Sequence, residues 1–152
     1  MVKIATQGGD GAVAFAQESV VITCNEALSK GDVVTLVLSA GKFSACAQHN
    51  TADSTPDHIL GIASEAVASG AKGRIVLRGV VDASCEAVAA GITLVGSATT
   101  GGRLEAQGVD GANDPGPFEK VVAIALTTAS SAGDLASVLF DGINGFSAPS
   151  NV

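Results

Sequence analysis

The side chains able to do chemistry in this sequence are few and widely spread. Cys46, His49 and His58 lie near enough together to be weighed as soft metal ligands, with Asp53 or Asp57 completing the set. Zinc sites are built from paired ligands at short, regular spacings, and there is no Cys-x-x-Cys pair here. The span from His49 to Asp57 also carries Asn50, Ser54 and Pro56, the composition of a polar turn. A second group, Asp110, Asn113, Asp114 and Glu119, offers the hard oxygens that calcium prefers. Its spacing is not that of the helix–loop–helix calcium site, and Asx residues beside Gly and Pro ordinarily shape turns. No metal is therefore expected at either place.

Covalent and phosphate chemistry find no better footing. There is no Gly-x-Ser-x-Gly elbow, and Cys24, Cys46 and Cys85 sit among apolar or small residues with no evident base. No phosphate-cradling Gly-x-x-x-x-Gly-Lys run occurs, and Gly8-Gly9-Asp10-Gly11 neither follows a strand nor opens a helix. Three cysteines at wide, irregular spacing read as small buried side chains of a reducing compartment rather than a disulfide framework. The sequence thus predicts a protein that is not an enzyme, with no catalytic residues and no cofactor.

The chain of 152 residues is 47% hydrophobic and only 15% charged, yet contains five Phe and neither Trp nor Tyr. Its core must be built from Ala, Val, Ile and Leu, and so apolar a chain with few charges is expected to have surface covered by partners. Eight Lys and Arg against fifteen Asp and Glu give a net charge of -7, which opposes nucleic-acid binding. The amino terminus has no continuous apolar run of a signal peptide, and the uncharged stretch from Ala87 to Gly102 is too short and too broken to cross a bilayer.

The elements that remain are β-strands separated by glycine turns, and they are written twice. Gly31-Asp32-Val33-Val34-Thr35-Leu36-Val37, Gly41-Lys42-Phe43, Leu60-Gly61-Ile62-Ala63 and Arg74-Ile75-Val76-Leu77-Arg78-Gly79 form the first statement. Gly91-Ile92-Thr93-Leu94-Val95, Gly102-Arg103-Leu104, Val122-Ala123-Ile124-Ala125 and Ala136-Ser137-Val138-Leu139-Phe140-Asp141-Gly142 form the second. β-Branched residues place strands over Ser19–Thr23 and Asp32–Leu38, and Lys42–Gln48 reads as a short strand after the turn at Gly41. Ile59–Ala66 is open to helix by propensity, and Asp82–Ala90 is Ala-rich enough for a helical turn or two. In the run from Arg74 to Arg78, alternation puts Ile75 and Leu77 inward and Arg74, Val76 and Arg78 outward, and Val138 and Phe140 are the matching inward pair.

The expected fold is a single, mainly β domain: a small β-barrel or β-sandwich with an internal two-fold repeat and at most short helices. Its parts are an extended arm over 1–18, a first repeat over 19–86, a second over 87–146 and a loose tail over 147–152. The polar stretches 49–57 and 108–116 stand at corresponding places in the two copies and would form the rim of any pocket.

On these motifs the chain resembles the capsid cement or head decoration proteins of tailed bacteriophages, the Ala/Gly/Val-rich family first catalogued as a domain of unknown function. The resemblance runs from about Ser19 to Gly142. It implies a structural virion protein, made in the bacterial cytoplasm, that binds the exterior of the expanded icosahedral head as a trimer and stabilises it against internal DNA pressure. The implied partners are the major capsid protein and further copies of the same chain, with no nucleic acid and no membrane. The arm from Met1 to Phe15 is then expected to order on a neighbouring capsid subunit. Two other readings are a tail or fibre adhesin module and a small cytosolic enzyme or ligand-binding barrel.

Overall fold

A computed structural model describes residues 17–39, 42–48, 59–97, 99–107 and 121–146. The strands are Glu18–Thr23 (β1), Val33–Ser39 (β2), Lys42–Gln48 (β3), Ile59–Ala63 (β4), Lys72–Ser84 (β5), Thr93–Gly96 (β6), Leu104–Ala106 (β7), Ala123–Ala125 (β8) and Leu135–Asp141 (β9). No helix occurs among the described residues. The stretch beginning at Ile59 is the strand β4, because pairing with β2 on one side and β5 on the other overrides its helical propensity. The expectation of helical turns over Asp82–Ala90 is corrected in the same way. Asp82, Ala83 and Ser84 complete β5 against β9, and the residues after them bend.

Every strand pairing is antiparallel, in the order β3-β2-β4-β5-β9-β8-β6-β7, with β1 added on β5. Two parallel bridges draw the ends of this sheet back upon it, Cys24 beside Cys46 and Cys85 beside Leu104. The result is a nearly closed, barrel-shaped sheet with two circuits. One runs β1-β3-β2-β4-β5 and the other β5-β7-β6-β8-β9, so β5 serves both. Closure of this kind leaves few strand edges unpaired, which is how small antiparallel sheets limit edge exposure.

Between the strands the two circuits use the same kinds of backbone bond. Leu28 N–H donates to Val67 O at 2.8 Å, and Val88 N–H to Ala129 O at 3.0 Å. Gly31 N–H donates to Ala63 O at 2.8 Å, and Gly91 N–H to Ala125 O at 2.7 Å. Gly31 and Gly91 adopt φ of +89° and +88°, the left-handed region that glycine reaches without a steric penalty, and each turns the chain into the strand that follows.

The interior divides into two clusters. The smaller joins Cys24, Leu28, Val34, Cys46, Ala63, Val67 and Ile75. The larger is centred on the second circuit, with Leu94, Leu104, Val138 and Phe140, and also takes in Val33, Ile62 and Val76 from the first. Val138 and Phe140 are buried as their alternation predicts. Val76 is not on a solvent face with Arg74 and Arg78 as expected: it is fully buried, and Leu77 is only half-buried. The cause is β5's double membership. The pairing with β1 shifts register between Glu18, opposite Arg78, and Ser19, opposite Val76. Both sides of the strand are covered: Ile75, and less completely Leu77, pack on the smaller cluster, while Val76 on the opposite side enters the larger.

Candidate functional site

Of the residues weighed as metal ligands, the structure places Cys46 on β3 with its side chain fully buried. His49, Asp53, Asp57 and His58 lie outside the described residues, as do Asp110, Asn113, Asp114 and Glu119, the Met1–Phe15 arm and the tail over 147–152. Among the described residues no group of three or more His, Cys, Asp and Glu side chains is arranged to hold a metal ion.

The polar side chains that do come together tie strands to one another. Lys30 Nζ donates to Asp82 Oδ2 at 3.0 Å, and Ser137 Oγ donates to Asp82 Oδ1 at 2.9 Å. The Lys30 and Ser137 hydrogen bonds hold the Asp82 carboxyl below its usual range against the opposing effect of burial. At the centre of β5, Arg78 reaches Asp141 at 3.3 Å and Glu18 at 3.9 Å, so the start of β1 and the end of β9 meet on one guanidinium. Burial pushes the Asp141 carboxyl up, but the Asn144 and Ile143 N–H donors together with Arg78 outweigh it and hold the group low.

A third cluster lies around the β6–β7 connection. Arg103 Nη1 stands 3.4 Å from Glu86 Oε1, and fully buried Ser97 Oγ donates to Glu105 Oε2 at 3.0 Å. Ser97 Oγ also accepts the N–H groups of Thr99 at 3.2 Å and Thr100 at 3.1 Å, which is the bonding of a serine that shapes a turn. Asp32, near Arg103, is pushed up by burial, and the Ser29 N–H and the Arg103 charge offset this only in part. Sequence inspection did not single out Ser97; the Ser-x-Thr-Thr-Gly-Gly run after β6 is its one local signal.

Apolar surface is the other conspicuous feature. Val20 and Val21 on β1 are exposed, as are Ile92, Leu126, Leu135 and Ile143, with Val21 the most open at 61%. The two turn glycines differ in the same sense. A Cβ on Gly31 would meet the Leu135 side chain and, at 3.0 Å, the Ser84 backbone nitrogen, whereas Gly91 faces open space. Ser84 N–H donates to Gly31 O at 2.9 Å and Val33 N–H to Gly102 O at 3.0 Å, so the second circuit covers the first at this place. The corresponding turn of the second circuit, with Ile92 beside Gly91, is bare.

Fold and surface together define a class: a small antiparallel β-barrel protein whose polar side chains join strands and whose outer face carries apolar residues. Among solved structures it is similar to the N base of the head fibre gp8.5 of bacteriophage phi29, with a TM-score of 0.55 and 12% sequence identity. The match covers 87% of this chain and 99% of that one, and at this identity it establishes a shared fold. No protein-family model and no curated protein matches the sequence.

Proposed function

We propose that this protein is a structural component of a bacteriophage virion that sits on the outside of the head, and that it acts there as a capsid cement. The observation that carries this reading is the fold shared, over nearly the whole length of both chains, with the base of a phage head fibre. The sequence resemblance to head decoration proteins leads independently to the same place. A cement works by preferential binding: a protein that holds only the expanded lattice stabilises it by mass action. Such work calls for adhesive surface rather than a catalytic centre, and the exposed Val20, Val21, Ile92 and Leu126 supply it.

The partners in this reading are the major capsid protein and further copies of the chain. Self-association, which the resemblance would make a trimer, is supported by the contrast between covered Gly31 and bare Gly91, because a neighbouring copy can cover the second turn as the second circuit covers the first. The recurrence of backbone bonds in the two circuits supports reading them as copies of one unit. A net charge of -7 disfavours nucleic acid as a further partner. The second reading is a fibre base, a module that anchors a projecting fibre, and it is favoured by the name of the similar structure.

Co-sedimentation of the purified protein with expanded heads that lack it separates these. Saturable binding in fixed ratio to the shell protein, with greater resistance of the heads to heat, is expected for the cement. Binding at a few copies per head with unchanged heat resistance would favour the fibre base, and absence of binding would overturn both.

A further inference from the structure

The point at which the first circuit closes is made of two thiols. Cys24 follows the last residue of β1 and Cys46 lies within β3; the two residues are bridge partners in parallel register, and both side chains are fully buried. Their Sγ atoms stand 3.2 Å apart. Backbone bonds fix both residues from either side: Asn25 N–H donates to Cys46 O at 3.1 Å, Cys24 N–H to Ala71 O at 2.9 Å, and Gly70 N–H to Cys24 O at 2.7 Å. Neighbouring strands lie about 4.8 Å apart, within the Cα separation of roughly 4.4–6.8 Å that a disulfide spans. Each sulfur need move only about 0.6 Å to reach bonding distance. The equivalent place in the second circuit holds Cys85 beside Leu104, which cannot be bridged.

We propose that Cys24 and Cys46 are a disulfide-forming pair, and that their oxidation converts the bridge between β1 and β3 into a covalent clasp on the first circuit. With a small-molecule disulfide such as oxidised glutathione as the oxidant, one cysteine thiolate attacks the glutathione disulfide and releases one glutathione thiol. The second cysteine then displaces the other, so the two electrons and two protons lost by the cysteines end on two glutathione thiols. Cys46 is held in the thiol form, its titration pushed up to about 12 by burial and by Cys24. Oxidation of the folded chain therefore proceeds through opening of the exposed strand β1, and it is slow at neutral pH. Cys85, also fully buried, remains a thiol.

Refolding the reduced full chain from denaturant in a glutathione redox buffer removes the kinetic barrier of burial. Thiol titration under denaturing conditions is expected to fall from three per chain to one, and peptide mapping to find Cys24 joined to Cys46. The oxidised chain should melt roughly 6–12 °C above the reduced one, because the bond closes a loop in the unfolded state. Cys85→Ser is expected to leave the linkage intact and Cys46→Ala to abolish it. Three remaining thiols in the refolded wild type, or a linkage that involves Cys85, would overturn the proposal. None of these readouts depends on head binding, so the pair stands or falls apart from the virion reading.

Discussion

Individual residues carry the closest tolerances in this barrel. Gly61 lies where β4 crosses β5, and a Cβ there would collide with the Val76 carbonyl oxygen and, at 2.6 Å, with Ile75 Cγ2. A backbone oxygen cannot swing aside, so Gly61→Val is expected to cost roughly 3 kcal/mol, read as a lower urea midpoint with unchanged slope. Asp141 tests electrostatics at the same scale. Its folded titration lies below the ordinary 3.8, so its contribution is whole above that value and is lost as pH falls through the lower folded one. Asp141→Asn should therefore lower the melting temperature near pH 7 and flatten its decline in acid. Asp32 runs the other way: its titration is raised, so the stability it contributes is present in acid and is lost as pH rises through the folded value. Asp32→Asn, whose amide oxygen can still accept the Ser29 N–H, is expected to raise the melting temperature at pH 7.

At the level of elements, β5 organises the molecule and marks the boundary of what a sequence can disclose. The strands over 18–23, 33–39 and 42–48 were legible because each is a compact run of β-branched or alternating residues between turn formers. The burial of Val76 was not, since the alternation was read with one core per strand and β5 serves two clusters, one on each face. Val76→Lys is accordingly expected to unfold the protein, although strict alternation would place a lysine there harmlessly beside Arg74 and Arg78. Circular dichroism and a melting curve check it. The Cys24–Cys46 approach was equally hidden, because it is set by the bridge that closes the end of β1 onto β3 rather than by any spacing of cysteines. The bare turn at Gly91 and Ile92 was hidden for a similar reason, exposure being decided by what packs elsewhere. What composition did disclose was the bulk property, an Ala- and Val-built chain with apolar residues to spare for its surface.

For the whole molecule, the larger cluster matters most because it mixes residues of both circuits. Val33, Ile62 and Val76 pack with Leu94, Val138 and Phe140, so neither circuit can lose its core alone. Calorimetry is expected to show one transition with equal calorimetric and van't Hoff enthalpies, and Phe140→Ala to shift that transition as a unit by about 3–5 kcal/mol. Self-association is tested at this scale too. The double variant Ile92→Lys with Leu126→Lys should keep the fold, because both side chains are already exposed, while shifting sedimentation velocity toward the monomer.

The meeting of Glu18 and Asp141 on Arg78 has a mechanical meaning. β1 begins and β9 ends opposite the same residue of β5, so tension drawn between the two ends of the barrel converges on that one point. Both ladders would then peel outward from it, bond after bond, instead of sharing the load along their length. A barrel threaded in this way resists force best when it is gripped by its faces, and least when it is pulled by its ends.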